Sequence, residues 1–114
     1  MANPTIALVA WLRTMGLNAH LTPPGTGTRY ATVTPVGGPV SDMLAYPSYD
    51  VRFYAQSASD AQADAWDALR ALRLTQPPVG IVSAQADAVP YGLGDPDRPA
   101  LSCQHLTVDL TCQI

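Results

Sequence analysis

Apolar and polar positions alternate along residues 49–56, YDVRFYAQ. Successive side chains of an extended segment point to opposite faces, so Tyr49, Val51, Phe53 and Ala55 share one face. Asp50, Arg52, Tyr54 and Gln56 share the other. The pattern predicts a strand with one buried side. The period then changes. In residues 57–74, SASDAQADAWDALRALRL, the apolar residues Ala61, Ala65, Ala68, Leu69 and Leu72 recur at spacings of three and four, the stripe of an amphipathic helix. Ser57 or Ser59 suits its N-cap. Asp60, Asp64 and Asp67 lie in the first half and Arg70 and Arg73 near the end. That order complements the helix dipole and places Asp67 to pair with Arg70.

The remaining segments fit around this unit. Asn3 followed by Pro4 predicts a helix start, a side-chain cap before a proline at the first helical position. The helix runs to about Met15, and Gly16 and Asn18 suit its end. Ile6, Leu8, Val9, Leu12 and Met15 leave little polar surface, so most of its circumference is expected to be covered. Residues 19–28 read as a Pro/Gly/Thr loop, and residues 29–36, RYATVTPV, as a strand. Pro35 marks the end or an edge of that strand. Long loops are expected at 37–48 and 89–100, and a third strand at 79–86. The last strand, 101–114, points Leu106, Val108, Leu110, Cys112 and Ile114 inward and Cys103, His105, Thr107, Asp109 and Thr111 the other way. The element order is α-β-β-α-β-β. The expected fold is α+β, a single domain over 1–114: a four-stranded mixed or antiparallel sheet with two helices packed on one face.

Composition adds limits. An apolar fraction of 47% suits a folded chain with its own core. All six basic residues are Arg and all nine acidic residues are Asp, matching a GC-rich coding bias. A net charge of −3 argues against a basic surface gripping nucleic acid and leaves open a passive wall past which DNA slides. The apolar N-terminal stretch lacks a basic leader, meets Pro4 early and is interrupted by Arg13. A buried helix in a soluble cytoplasmic protein, with no membrane partner, is therefore expected. Cys103 and Cys112 have an odd separation on one strand. They are expected on opposite faces about 30 Å apart. That is too far for a disulfide, and free thiols suit a reducing compartment.

Some stretches suggest particular chemistries. TPPGTGTRY, residues 22–30, resembles a phosphate-binding loop, but Thr22 stands at the first glycine, Thr28 at the lysine and Arg29 at the metal-binding hydroxyl. Such a loop also follows a strand and opens a helix, whereas here a helix precedes and a strand follows. Cys103 and His105 share a strand face with Asp109 further along, giving two candidate metal ligands where structural zinc wants four. The same face reads more simply as half-exposed. No G-x-S-x-G elbow occurs, and no basic neighbour in sequence lowers the Cys103 pKa. No catalysis, cofactor or metal is expected. Trp11 and Trp66 read as packing residues. Tyr46, Tyr54 and Tyr91 at expected exposed positions, with Arg52, are residue types favoured in protein interfaces.

The segment YDVRFYAQSASDAQADAWDALRAL, residues 49–72, resembles the central part of the tail terminator (tail completion) proteins of long-tailed phages, especially those infecting actinobacteria. Three further features agree: W-L-R at 11–13, the glycine pair Gly37 and Gly38 after the first strand, and DPDRP at 95–99 before an amphipathic last strand. The resemblance implies a mixed α/β subunit that assembles with itself into a ring, commonly sixfold. That ring caps the tail tube, ends its polymerisation and offers the surface that joins the head. It lies at the head-proximal end of the virion tail and is assembled in the host cytoplasm. Its partners are the major tail tube protein and a head–tail connector protein, and DNA passes through its lumen without specific binding. Loops 37–48 and 87–100 are then the contact arms, Tyr46, Arg52, Tyr54 and Tyr91 the subunit-contact candidates, and Asp60, Asp64 and Asp67 the lumen candidates. The alternatives are another head–tail connector or tube-related assembly subunit, and an unrelated binding module or small enzyme.

Overall fold

In the computed structural model, which describes residues 3–114, the chain runs α1 (Pro4–Thr14), β1 (Ala19–His20), β2 (Tyr30–Gly37), β3 (Leu44–Ala45), β4 (Ser48–Ala55), α2 (Ala58–Leu74), β5 (Ser83–Gln85), β6 (Tyr91–Gly92) and β7 (Ser102–Gln113). Both helices begin where the sequence places them. The Asn3 Oδ1 accepts from the N–H of Thr5 at 2.9 Å and of Ile6 at 3.3 Å, ahead of Pro4. Gly16, with φ +86°, takes the left-handed conformation that ends α1. Ser57 Oγ accepts from the Asp60 N–H at 3.2 Å and caps α2. All five stripe residues of α2, Ala61, Ala65, Ala68, Leu69 and Leu72, are buried.

The sheet is built on β4 and β7, which pair antiparallel from Ser48 opposite Asp109 to Ala55 opposite Ser102. On the far side of β4 lies β2, antiparallel, with Tyr30 opposite Tyr54. The two-residue β1 adds parallel to β2. β3 pairs with β7 in the register β4 uses: Ala45 faces Cys112 three places before Ser48 faces Asp109. They are therefore one strand interrupted at Tyr46 and Pro47, and the Pro47 carbonyl still accepts from the Leu110 N–H at 2.9 Å. β5 and β6 cover separate stretches of the other edge of β7, opposite 109–111 and 104–105.

Alternation holds in both long strands. Tyr49, Val51 and Phe53 of β4 and Leu106, Val108 and Leu110 of β7 form one cluster with Leu8, Val9 and Leu12 of α1 and Ala65, Leu69 and Leu72 of α2. Both helices thus pack on the same face. Full burial of each large apolar side chain there contributes about 1.5–3 kcal/mol. The Thr5 and Tyr49 hydroxyls, 3.0 Å apart, tie the first turn of α1 to the sheet. The opposite face carries a second, smaller cluster of Tyr30, Tyr54 and Cys103, with the two tyrosine rings stacked at 4.8 Å.

The α+β class and the placement of both helices agree with the sequence reading, but the sheet does not have four strands. Among the described residues it has seven, in the chain order α-β-β-β-β-α-β-β-β. The additional strands β1, β3 and β6 are two residues each and lie inside Pro- and Gly-rich segments. Partner strands create them, with no alternation of their own to betray them. The third predicted strand shrinks from 79–86 to Ser83–Gln85. Gly80, at φ +84°, and a turn bond from the Ile81 N–H to the Pro78 carbonyl occupy its first part. Pro35 marks an edge. The Ala31 N–H bonds outward to Asn18, so every second residue from it, Pro35 included, turns its missing or present N–H away from β4. The circumference of α1 is less covered than expected: Ile6 is 52% exposed and Ala10 is exposed too. Ile114, expected inward, lies past the end of β7 and is exposed. No helix among the described residues is long and apolar enough to cross a membrane.

Candidate functional site

On the sheet face away from the helices, β4 and β7 set Asp50, Arg52 and Tyr54 beside Thr107, His105 and Cys103. The segment from Tyr91 to Arg98 reaches back over these side chains and is bonded to them. The Tyr54 hydroxyl donates to Asp95 Oδ2 at 2.7 Å. Asp95 also accepts from the Asp97 N–H at 2.9 Å and lies 4.0 Å from the Arg52 guanidinium. Arg52 Nε donates to Asp50 at 3.0 Å. His105 Nδ1 lies 3.1 Å from Asp50 and its Nε2 lies 3.1 Å from the Leu93 carbonyl, while the Tyr91 ring stacks on the imidazole at 5.2 Å. Tyr91 and Gly92 extend the sheet at the same place as β6. A backbone ladder, a carboxylate and an aromatic stack together fasten this arm.

The electrostatics follow from burial. Burial pushes the Tyr54 phenol well above its usual value, and the Asp95 carboxylate adds to the shift. The same hydrogen bond, helped by the Asp97 backbone, holds Asp95 below the usual carboxylate range. Burial pushes the Cys103 thiol up to about 11. Asp50, His105 and Cys103 stand in the order of a nucleophilic trio, with Cys103 Sγ 3.6 Å from His105 Nε2. The thiol is nevertheless protonated and only 4% exposed, and the imidazole edge beside it is held by the Leu93 carbonyl. Of the three, His105 is the one whose side chain reaches the 91–98 arm, through the Leu93 carbonyl and the Tyr91 ring. The strand face expected to be half-exposed is therefore buried at Cys103 and His105. Asp109, the third residue of that face considered for a metal, accepts a hydrogen bond from Ser48 further along.

Of the four contact candidates, three meet at this arm and one does not. Tyr54 is on the predicted strand face but is 1% exposed, so the expected exposure is corrected: the 91–98 arm covers it. Arg52 is partly exposed and held by Asp50. Tyr91 is 52% exposed on one side while its other side stacks on His105. Tyr46 is half-buried at the β3–β4 junction, roughly 25 Å along the strand from Tyr54. The lumen candidates carry their own countercharges. Arg29 makes a two-pronged bond to Asp64, at 2.8 and 2.9 Å, and lies 3.8 Å from Asp60. Asp67 takes Arg70 at 3.0 Å, the pair expected from the helix spacing. Arg29 bridges 35 residues to reach Asp64, and nothing local in the sequence announces the pair. Asp50 and His105 are equally silent, because only the β4–β7 register brings them together.

The other long loop is an ordered hairpin. Val40 bridges to Ala45, the Ser41 N–H donates to the Leu44 carbonyl at 2.8 Å, and the Tyr46 N–H donates to the Pro39 carbonyl at 3.0 Å. Gly38 at φ +145° makes this possible, since a β-carbon there would run into the Tyr46 carbonyl. The hairpin carries Val40 and Met43 at its tip, 70% and 76% exposed. Elsewhere, α1 and the end of α2 leave an apolar groove of about 560 Å³. The small residues Ala7, Ala10 and Ala71 open it, and Trp11 and Val79 wall it.

No protein-family model matches the chain, and no curated protein matches it in sequence.

Proposed function

We propose that this chain is a structural virion protein: a subunit that closes with copies of itself into a ring capping a phage tail tube, ending tube polymerisation and providing the head-joining surface. The observation that carries this reading is the 39–46 hairpin. It is fixed by backbone bonds and by a glycine that admits no side chain, yet it holds two large apolar residues in solvent. A hydrogen-bonded apolar projection suits a contact surface, because little ordering entropy is left to lose on docking. The resemblance to tail terminators over 49–72, with Gly37 and Gly38 at the base of that same hairpin, supports the assignment. Ring closure uses head-to-tail contacts between unlike patches, commonly sixfold in that family. One face of the ring meets the last ring of the major tail tube protein and the other a head–tail connector protein. A net charge of −3 suits a lumen that DNA traverses without being held.

Electron microscopy of tails assembled without the protein tests the reading. Overlong or ragged tubes are expected. Tubes of normal length joined to no head would instead assign the chain to the head–tail connector, and normal infectious virions would end both assignments.

A further inference from the structure

We infer that His105 is a proton-operated latch for the 91–98 arm. Protonated on both ring nitrogens it holds the arm on the sheet; on losing one proton it lets the arm lift. The latch works within one chain and does not depend on ring closure. Both nitrogens face acceptors. Nδ1 lies 3.1 and 3.3 Å from the two Asp50 carboxylate oxygens, and Nε2 lies 3.1 Å from the Leu93 carbonyl. A neutral imidazole has one N–H, whereas an imidazolium has two. With its proton on Nδ1, a neutral ring can accept from the Cys103 thiol, 3.6 Å from Nε2, but it then turns that lone pair toward the Leu93 carbonyl. With its proton on Nε2, the bare Nδ1 faces the Asp50 carboxylate. The imidazolium alone serves both acceptors.

The charges around the ring call for the same form. From β4, Asp50 and Arg52 face it, and Arg52 Nε donates to Asp50 at 3.0 Å. From the arm, Asp95 lies 4.0 Å from the Arg52 guanidinium. Two carboxylates against one guanidinium leave a negative charge over on a face the arm shields from water, and a cationic His105 cancels it. The other titratable groups packed there are Cys103 on β7, Tyr54 on β4 and Tyr91 on the arm, all neutral below the alkaline range. Further along the arm, Asp97 and Arg98 offset one another. The Tyr91 ring lies nearly parallel to the imidazole, 12° apart at 5.2 Å, with its π face toward the cation. Closing the arm thus takes up a proton, and raising the pH draws the balance toward the open arm.

Amide exchange at Leu93, whose N–H donates to the Cys103 carbonyl at 3.2 Å, reports the state of the arm. Each rate is taken relative to the unstructured chain at the same pH, which removes the base catalysis of exchange itself. Protection is expected to fall ~10-fold as the pH rises from about 5 to about 8, the range in which histidines titrate. That window closes before Cys103 responds, at 9.0 and above. His105→Gln keeps one donor and carries no charge, so its Leu93 protection is expected to stay level across the window. The variant retains His20, which removes that residue as a cause. Side-chain nitrogen NMR of the unmodified chain at about pH 7 reads the ring directly, and protons on both His105 nitrogens are expected. A ring protonated on one nitrogen overturns the latch. So does Leu93 protection that stays level in the unmodified chain, or that falls equally in His105→Gln.

Discussion

The Tyr54 hydroxyl donates to the Asp95 carboxylate at 2.7 Å, joining the middle of the sheet to a loop residue 41 positions later. Each partner explains the other's environment. The phenol is buried because the loop lies over it, and the loop lies there because a buried donor needs an acceptor.

Removing the donor tests that bond. Tyr54→Phe is expected to destabilise the fold by about 1–2 kcal/mol. Amide exchange should quicken through the turn that closes on the Asp95 carbonyl at Arg98 and on Arg98 at Leu101. Asp95→Asn in the same background should add little, since the two residues act as one unit. Denaturant unfolding of the two singles and the double measures it.

The hairpin depends on one backbone position. Gly38→Ala is expected to destabilise by roughly 1–3 kcal/mol, since the new methyl meets the Tyr46 carbonyl in a conformation that L-residues avoid. Gly25→Ala, in open space and without a positive φ, is the control. It should be neutral or slightly stabilising. Thermal melts of both variants decide the comparison.

Alkaline pH should loosen the covered face. The Cys103 and Tyr54 pKa values are raised on folding, so their contribution is complete below the ordinary values of 9.0 and 10.0 and is lost as pH rises through the folded ones. For Cys103 the window runs from pH 9.0 to about 11, and the loss there is on the order of 2 kcal/mol. Melting temperatures are expected to fall across that window. Cys103→Ala, less stable at neutral pH, should fall less steeply. Asp95 acts at the other extreme. Its pKa is lowered, so its contribution is present above 3.8 and is lost as pH drops further.

Arg29 is exposed, and its bonds to α2 lie at the surface. Arg29→Ala is expected to leave the melting temperature nearly unchanged, since exposed ion pairs add little to stability. It would also leave Asp60 and Asp64 uncompensated. If these residues line the bore, the variant should assemble normally and alter DNA passage, read as DNA ejection kinetics. Mapping them to the outside of the assembled ring would remove the lumen assignment.

Local periodicity revealed the elements that pack against the core. The α2 stripe from Ala61 to Leu72, the Ser57 cap and the inward faces of β4 and β7 all follow from spacing, because side-chain direction is set by local geometry. What stayed hidden depends on residues far apart in the chain. The polar face carrying Asp50, Arg52 and Tyr54 reads as solvent-facing, and only the path of the 91–98 arm makes it an interior. β1, β3 and β6 have two residues each, too few for any period. The glycine pair at 37–38 reads as the start of a loop after the strand. That Gly38 holds an ordered hairpin shows only through its approach to Tyr46.

The most direct measurement is a cryo-electron microscopy reconstruction of the head-proximal end of the phage tail. One closed ring of copies of this chain is expected, seated on the last tube ring. A tail end built without the chain, or holding it as a single copy, would contradict it.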